Sequence, residues 1–251
     1  MSEEIPFNKI ANYYDLIYQD KNYLKEVEYI KNLIAEFADN KESILELGCG
    51  TGKHASLLAE EGYQMSVVDK SSEMIKIAKS RGLKNCFLSD IDSFEINKKF
   101  DIVLALFHVM SYVTEDQKID KVLSNIKKHL KSKGVFIFDV WFSPAVLRQK
   151  PEIRTKRIIK DNIEILRIAE PFEDFEKNIV DVKYTFFLND RNNKNKMEFK
   201  KESHIMRHFS LPELRQIADK NGFNLLHSEA WLTKESVSDQ TWGIMVVLES
   251  N

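Results

Sequence analysis

The sequence predicts an α/β fold in which an open, mostly parallel sheet carries helices on both faces and an antiparallel β lobe is inserted late in the chain. Three observations carry this expectation. The stretch Ile44 to Asp69, ILELGCGTGKHASLLAEEGYQMSVVD, reads as strand, glycine turn, helix, strand and terminal acid. Phe100 to Leu106 is apolar at nearly every position, as a strand covered on both faces must be. From Arg148 to Phe209 the alternation of helix and strand stops, and strand-like segments follow one another.

With 251 residues the chain is long enough to bury one large core and carry an inserted lobe. Its formal net charge of −2, with both signs interspersed, recommends neither nucleic acid nor an anionic membrane as a partner. The opening MSEEIPFNKI lacks the apolar core of a targeting peptide, and no segment approaches the ~20 apolar residues of a membrane span, so a cytoplasmic protein is expected. Cys49 and Cys86 have neither metal-ligand spacing nor a secretory context; they read as free thiols, and no metal site is predicted.

In order, the aromatic run Tyr13 to Tyr18 precedes a helix opened by Asn22, in which Tyr23, Val27, Ile30, Leu33 or Ile34, and Phe37 recur at helical spacing. Ile44 to Leu47 is the first strand and His54 to Glu61 a helix; Met65 to Val68 is the second strand. Ser71 or Ser72 caps the next helix, which Gly82 ends. Cys86 to Leu88 is the third strand and Phe100 to Leu106 the fourth. Thr114 and Gln117 read as a capping box for a helix through Leu130, and Val135 to Val140 as the fifth strand. Within the lobe, strands are expected at Ile158 to Ala169, Ile179 to Leu188 and Met197 to Phe209, the last two joined by a turn at Asn189 to Asn195. Ser210 and Glu213 form a second capping box, Gly222 stops that helix, and Asn224 to Trp231 and Trp242 to Leu248 are the final strands.

The glycine turn narrows the ligand. Gly48, Gly50 and Gly52 let the chain turn tightly and a ligand approach the backbone, with the N–H groups of a helix start beyond them. A dinucleotide site would read G-x-G-x-x-G, but here Lys53 takes the sixth place, and the Glu46 carboxylate suits an ammonium or sulfonium better than a pyrophosphate. Asp69, ~20 residues past the first glycine, is placed to accept hydrogen bonds from two ribose hydroxyls. An acid followed by G-x-G-x-G resembles the class I S-adenosylmethionine (SAM)-dependent methyltransferases. The resemblance implies their Rossmann-like, seven-stranded, mostly parallel sheet, with SAM as cofactor and S-adenosylhomocysteine as product. It also implies cofactor contacts at Tyr14, Tyr18, Glu46, Gly48, Gly50, Gly52, Asp69, Lys70, Met74, Asp90, Ile91 and Leu106. In such enzymes a Y-D-L-x-Y segment, here Tyr14, Asp15, Leu16 and Tyr18, folds over the cofactor, with Lys21 and Tyr23 sharing in that lid. A packing lip for the following helix is the other reading of the tyrosines.

Nearly the whole chain is similar to the methyltransferases of nucleotide-linked amino sugars and of surface-polysaccharide pathways. The likeness extends to Phe107 to Tyr112, to Trp141-Phe142-Ser143-Pro144, to the inserted lobe and to His204; it departs at Thr241-Trp242-Gly243, where those enzymes often carry Arg in a G-R-G context. It implies a small-molecule acceptor, a sugar or nucleotide-linked amino sugar methylated on an amine or hydroxyl. Phe107, Trp141 and Phe142 would face the substrate, and His108, Tyr112 and His204 the transferred methyl. Each has an ordinary alternative, a hydrogen-bonded structural histidine or a gap-filling tyrosine. Residues 1–147 with 210–251 would form the SAM-binding domain and 148–209 the lobe covering the acceptor, a homodimer surface being the lobe's other use. Two further readings are an NAD-type oxidoreductase of similar layering and a SAM-binding protein without catalysis.

Overall fold

The structure is a computed structural model and describes residues 5–190 and 196–251. A 3-10 segment, Asn8–Tyr13, runs into α1 (Tyr14–Ile17) and then α2 (Tyr23–Phe37), where Asn22 Oδ1 accepts the Lys25 N–H at 3.0 Å as the helix cap. The parallel unit follows as β1 (Ser43–Leu47), α3 (Lys53–Glu60), β2 (Gln64–Asp69), α4 (Ser72–Ser80), β3 (Cys86–Leu88) and β4 (Phe100–Ala105). A 3-10 turn, Val109–Tyr112, leads to α5 (Asp116–His129), β5 (Leu130–Phe142) and the short α6 (Ser143–Gln149). The chain then forms β6 (Arg154–Lys160), β7 (Ile163–Asp174), β8 (Ile179–Asp190) and β9 (Lys196–Phe209) before α7 (Leu211–Lys220), β10 (Phe223–Ala230) and β11 (Gly243–Ser250).

Strand order in the α/β unit is β3-β2-β1-β4-β5-β11-β10, parallel up to β5, with β11 antiparallel to both neighbours. This is the seven-stranded sheet the sequence leads one to expect. Strand alternation divides its core into two layers. Ile44, Ile102, Val135 and Met245 pack against α2, α3 and α4 through Ile30, Ala55 and Ala78, whereas Leu45, Val103, Phe136 and Val246 pack against α5 and α7 through Val122, Ile126 and Leu214. The antiparallel strands β6 to β9 are joined to this sheet at one place, where Trp141 and Phe142 at the end of β5 pair with His208 and Phe209 of β9.

Several local readings are corrected. The segment Ile158 to Ala169 is not one strand; Asp161, at φ 51°, turns the chain back so that β6 and β7 form a hairpin. Asp and Asn tolerate the left-handed conformation better than other side chains, which is the signal in Asp161-Asn162. The capping box at Thr114 and Gln117 does not form, because α5 starts at Asp116 beyond Glu115, and the Thr114 carbonyl instead accepts from Arg207 Nη1 at 2.9 Å. The turn expected at Asn189 to Asn195 has its first two residues in β8; 191–195 lie outside the described residues. By contrast, Ser71 caps α4, and the Ser210–Glu213 capping box is complete.

Candidate active site

A cavity opens at the carboxyl ends of β1, β2 and β4, where the loops after parallel strands build ligand sites in open sheets. It encloses about 1030 Å³ including its mouth, room for a cofactor with a small acceptor beside it. Its floor is the glycine turn. Gly48 and Gly50 sit at φ 61° and 55°, in the left-handed region where a Cβ is costly. At Gly48 a Cβ would also lie 2.7 Å from Val109 Cγ2, whereas at Gly50 it would meet nothing and project into open space. Gly48 thus lets the turn pack under Val109, and Gly50 leaves the ligand an uncovered stretch of backbone.

Two acids flank this floor. Asp69 Oδ2 accepts the Gly50 N–H and its Oδ1 the Ser71 N–H, each at 2.8 Å, which locks the carboxylate against the turn and leaves lone pairs for a ligand. Burial pushes its carboxyl up, against the pull of those two N–H groups. Glu46 is 2% exposed, and burial pushes its carboxyl up to about 8, Lys21 opposing. Its Oε2 is buried without a hydrogen-bond partner, and its Oε1 lies 3.7 Å from His54 Nδ1. An unsatisfied carboxylate oxygen on a pocket wall is costly unless a cationic or donor group of a ligand completes it.

The N-terminal segment forms another wall through Ile5, Pro6, Phe7 and Tyr14. It is wedged between α4 and the β6–β9 sheet: Ile10 and Ile17 pack with Ile165 and Phe186, while Ala11 and Tyr14 pack with Met74. Asp15 latches it to the turn, accepting from Thr51 Oγ1 at 2.8 Å and pairing with Arg81, whose Nε donates to the Thr51 carbonyl. Lys21 lies 3.8 Å from the centre of the Phe107 ring and 2.9 Å from Glu26.

Phe107 and His108, separated from the end of β4 by Leu106, both adopt positive φ, 65° and 62°. Two successive non-glycine residues in that region are strained and persist only where the surroundings hold them. Here the His108 N–H donates to Asp139 Oδ2 at 3.1 Å, and the same oxygen lies 2.7 Å from His108 Nδ1. Although burial opposes it, this neighbour holds the Asp139 carboxyl below its usual range. The 3-10 turn then delivers Tyr112 to the cavity wall, where its hydroxyl meets His204 Nδ1 at 2.8 Å. Burial, with Tyr184, Tyr18 and Glu202 nearby, pushes the Tyr112 phenol well above its ordinary value, so it is protonated at neutral pH.

Of the residues singled out from sequence, Tyr14, Glu46, Gly48, Gly50, Asp69, Lys70, Met74, Asp90, Ile91, Leu106, Phe107 and Tyr112 converge on the cavity. Lys21 and Tyr23 line it too, whereas Tyr18, Gly52, His108, Trp141, Phe142 and His204 stand behind it. Tyr18 packs on Tyr14, Phe7 and Phe107, and Gly52, at φ 75°, makes room for Leu83 and Ala78 where α3 begins. His204 backs Tyr112, and His108 lies between Asp139 and Trp141. Trp141 packs with Trp242 and Val146, and Phe142 is 5% exposed within the core, so neither reaches the cavity wall. His208, which shares a face with His204, is taken up by Ser143 Oγ at 2.8 Å. Residues not foreseen include Phe7, His54 and Lys118. Phe7 comes from the remote N-terminal segment, which no local pattern ties to the glycine turn. Asp90 on the far wall pairs with Lys118 of α5 at 3.5 Å.

Residues 20–228 match a family model described as a methyltransferase domain. A SAM-dependent methyltransferase from Clostridium acetobutylicum ATCC 824 has a solved structure that superposes with a TM-score of 0.81 at 25% identity, covering 98% of this chain and 99% of that one. The SAM-bound structure of CalS10, an amino pentose methyltransferase from Micromonospora echinaspora, superposes with a TM-score of 0.76 over 100% of both chains; at 16% identity this is a likeness of fold. The dTDP-3-amino-3,4,6-trideoxy-alpha-D-glucopyranose N,N-dimethyltransferase of Streptomyces venezuelae is 27% identical over 138 residues, an alignment that spans 53% of this chain and 58% of that enzyme.

Proposed function

From the premise that this chain belongs to the methyltransferase-domain family and is a SAM-dependent methyltransferase, we propose that it methylates an amine of a small, sugar-like acceptor, a nucleotide-linked amino sugar being the leading class. SAM fits the residues present. The unsatisfied Glu46 oxygen suits its ammonium, Asp69 its ribose hydroxyls, the open backbone at Gly50 a close approach, and Ile91 with Asp90 the adenine. An NAD-type oxidoreductase finds no support, since the sixth position of its glycine pattern is Lys53, whose side chain lies 3.7 Å from Asp15.

When bound, SAM supplies a methyl group on a positively charged sulfur. The protein's part is to hold an acceptor lone pair in line with it and keep water out; alignment of this kind reaches effective molarities of ~10⁵ M or more. The observation that carries the proposal is the Tyr112–His204 pair, which sets a protonated phenol on the cavity wall with a buried imidazole behind it to draw off a proton. General-base assistance is worth ~10²-fold or more. The amine is favoured over a hydroxyl by the activity named for the Streptomyces venezuelae relative. The test is a screen of amino sugars, nucleotide-linked amino sugars, their hydroxyl counterparts and carboxylic acids for S-adenosylhomocysteine release. Turnover confined to the amines is expected; turnover confined to hydroxyls or carboxylates would overturn the acceptor class.

A further inference from the structure

We infer that Glu202 is a positioning residue that couples closure of the N-terminal segment to the proton path leading out of the acceptor site. The inference rests on the methyl-transfer reading above and adds a residue to it. Glu202 and His204 lie two apart on β9 and face the same way, 3% and 1% exposed. Glu202 Oε1 accepts the Lys9 N–H at 3.0 Å, and Oε2 accepts the Phe7 N–H at 2.9 Å while lying 3.1 Å from His204 Nε2. A carboxylate only accepts. His204 Nε2 must therefore carry the proton, which leaves the Nδ1 lone pair for the Tyr112 hydroxyl 2.8 Å away.

The same carboxylate holds the pocket wall in place. Phe7 sits at φ 61°, a conformation its side chain disfavours, and its ring lines the cavity and meets the His204 ring edge-on at 4.4 Å. Among the described residues Glu202 has three donors, and two of them belong to this segment. Tyr184, from β8, closes the other side of the imidazole, its ring 4.8 Å away with the Arg167 guanidinium over it. The docked residues 7 to 9 thus fix the carboxylate that orients the imidazole and supply one wall of its enclosure. In the reaction the acceptor lone pair forms the bond to the methyl carbon while the carbon–sulfur pair stays on sulfur. The acceptor's surplus proton passes to the Tyr112 oxygen as the Tyr112 proton passes to His204 Nδ1, and the resulting imidazolium lies against Glu202.

Glu202→Gln tests this, because the amide replaces one acceptor oxygen with a donor and cannot serve three N–H groups. In ¹⁵N spectra of histidine-labelled protein, wild-type His204 should show the single Nε2–H tautomer, and the variant a mixture. Amide exchange at Phe7 and Lys9 should quicken ~10-fold or more on loss of their acceptor, and kcat at saturating SAM should fall ~10-fold or more with an amino sugar that the wild type methylates. Faster exchange with tautomer and kcat unchanged would reduce Glu202 to an anchor and overturn the coupling. If the variant does not fold, the wild-type spectrum still decides, an Nδ1–H resting tautomer contradicting the assignment. A wild type inert toward every amino sugar would sink the acceptor reading alone, since the tautomer and exchange measurements need no acceptor.

Discussion

With its carboxyl pushed up to about 8 by burial, Glu46 holds a proton in the folded chain at neutral pH, where an ordinary glutamate, near 4.5, has lost it. Between those two values the folded state binds a proton that the unfolded state has released, so this group makes stability fall as pH rises from about 4.5 to about 8. Glu46→Gln removes that dependence. Thermal unfolding of the SAM-free proteins should therefore show the variant gaining on wild type across this window; a difference independent of pH would count against the shift. The same variant should bind SAM ~10-fold or more weakly, because the ammonium of SAM would draw the proton off Glu46 and pair with the resulting carboxylate, which a neutral amide cannot supply. Asp69→Ala should weaken SAM by roughly 1.5–3 kcal/mol, as expected for lost hydrogen bonds to a charged group; unchanged affinity by calorimetry in a folded variant would remove Asp69 from the ribose. Both acids were legible because they flank the glycines in sequence. Glu202 was not, because its donors Phe7 and Lys9 lie 195 and 193 residues away, and no local pattern announces such a pairing.

At the scale of elements, the segment through α1 is held over the glycine turn by Asp15, whose carboxylate takes Thr51 and Arg81 on a partly exposed surface. Ion pairs so placed contribute ~1 kcal/mol or less, so Asp15→Ala should weaken SAM only a few-fold while speeding proteolysis within Tyr13 to Lys21. Protease resistance equal to wild type would mean that the apolar packing of Ile10 and Ile17 alone holds the segment. The helical periodicity of α2 and the nearly continuous apolar run of β4 were read correctly because burial dictates both patterns. The β6–β7 hairpin was missed because apolar residues continue through Ile158, Ile159, Ile163 and Ile165, masking the two-residue turn between them. The start of α5 was misplaced because Thr-x-x-Gln satisfies the capping pattern, while Arg207 from a distant strand claims the Thr114 carbonyl.

At the scale of the molecule, the mostly parallel sheet and the position of the cavity at its carboxyl edge follow from the alternation of strands and helices, and so were legible. The role of the lobe was not, because nothing local specifies how β6 to β9 lean on the N-terminal segment. The expectation was a lobe roofing the acceptor site; in the structure none of its described residues lines the cavity, and it packs on the N-terminal segment while β9 brings His204 behind Tyr112. His204→Ala should accordingly leave SAM affinity within a few-fold of wild type and lower turnover ~10-fold or more; a parallel loss of SAM binding would mean that the lobe supports the cofactor half instead. The most direct test of the central claim, that methyl transfer takes place against Tyr112, is the rate of S-adenosylhomocysteine formation by Tyr112→Phe at saturating SAM and acceptor. Loss of the phenol oxygen should lower kcat ~10-fold or more, whereas a rate equal to wild type would contradict the account and place the reacting atom elsewhere in the cavity.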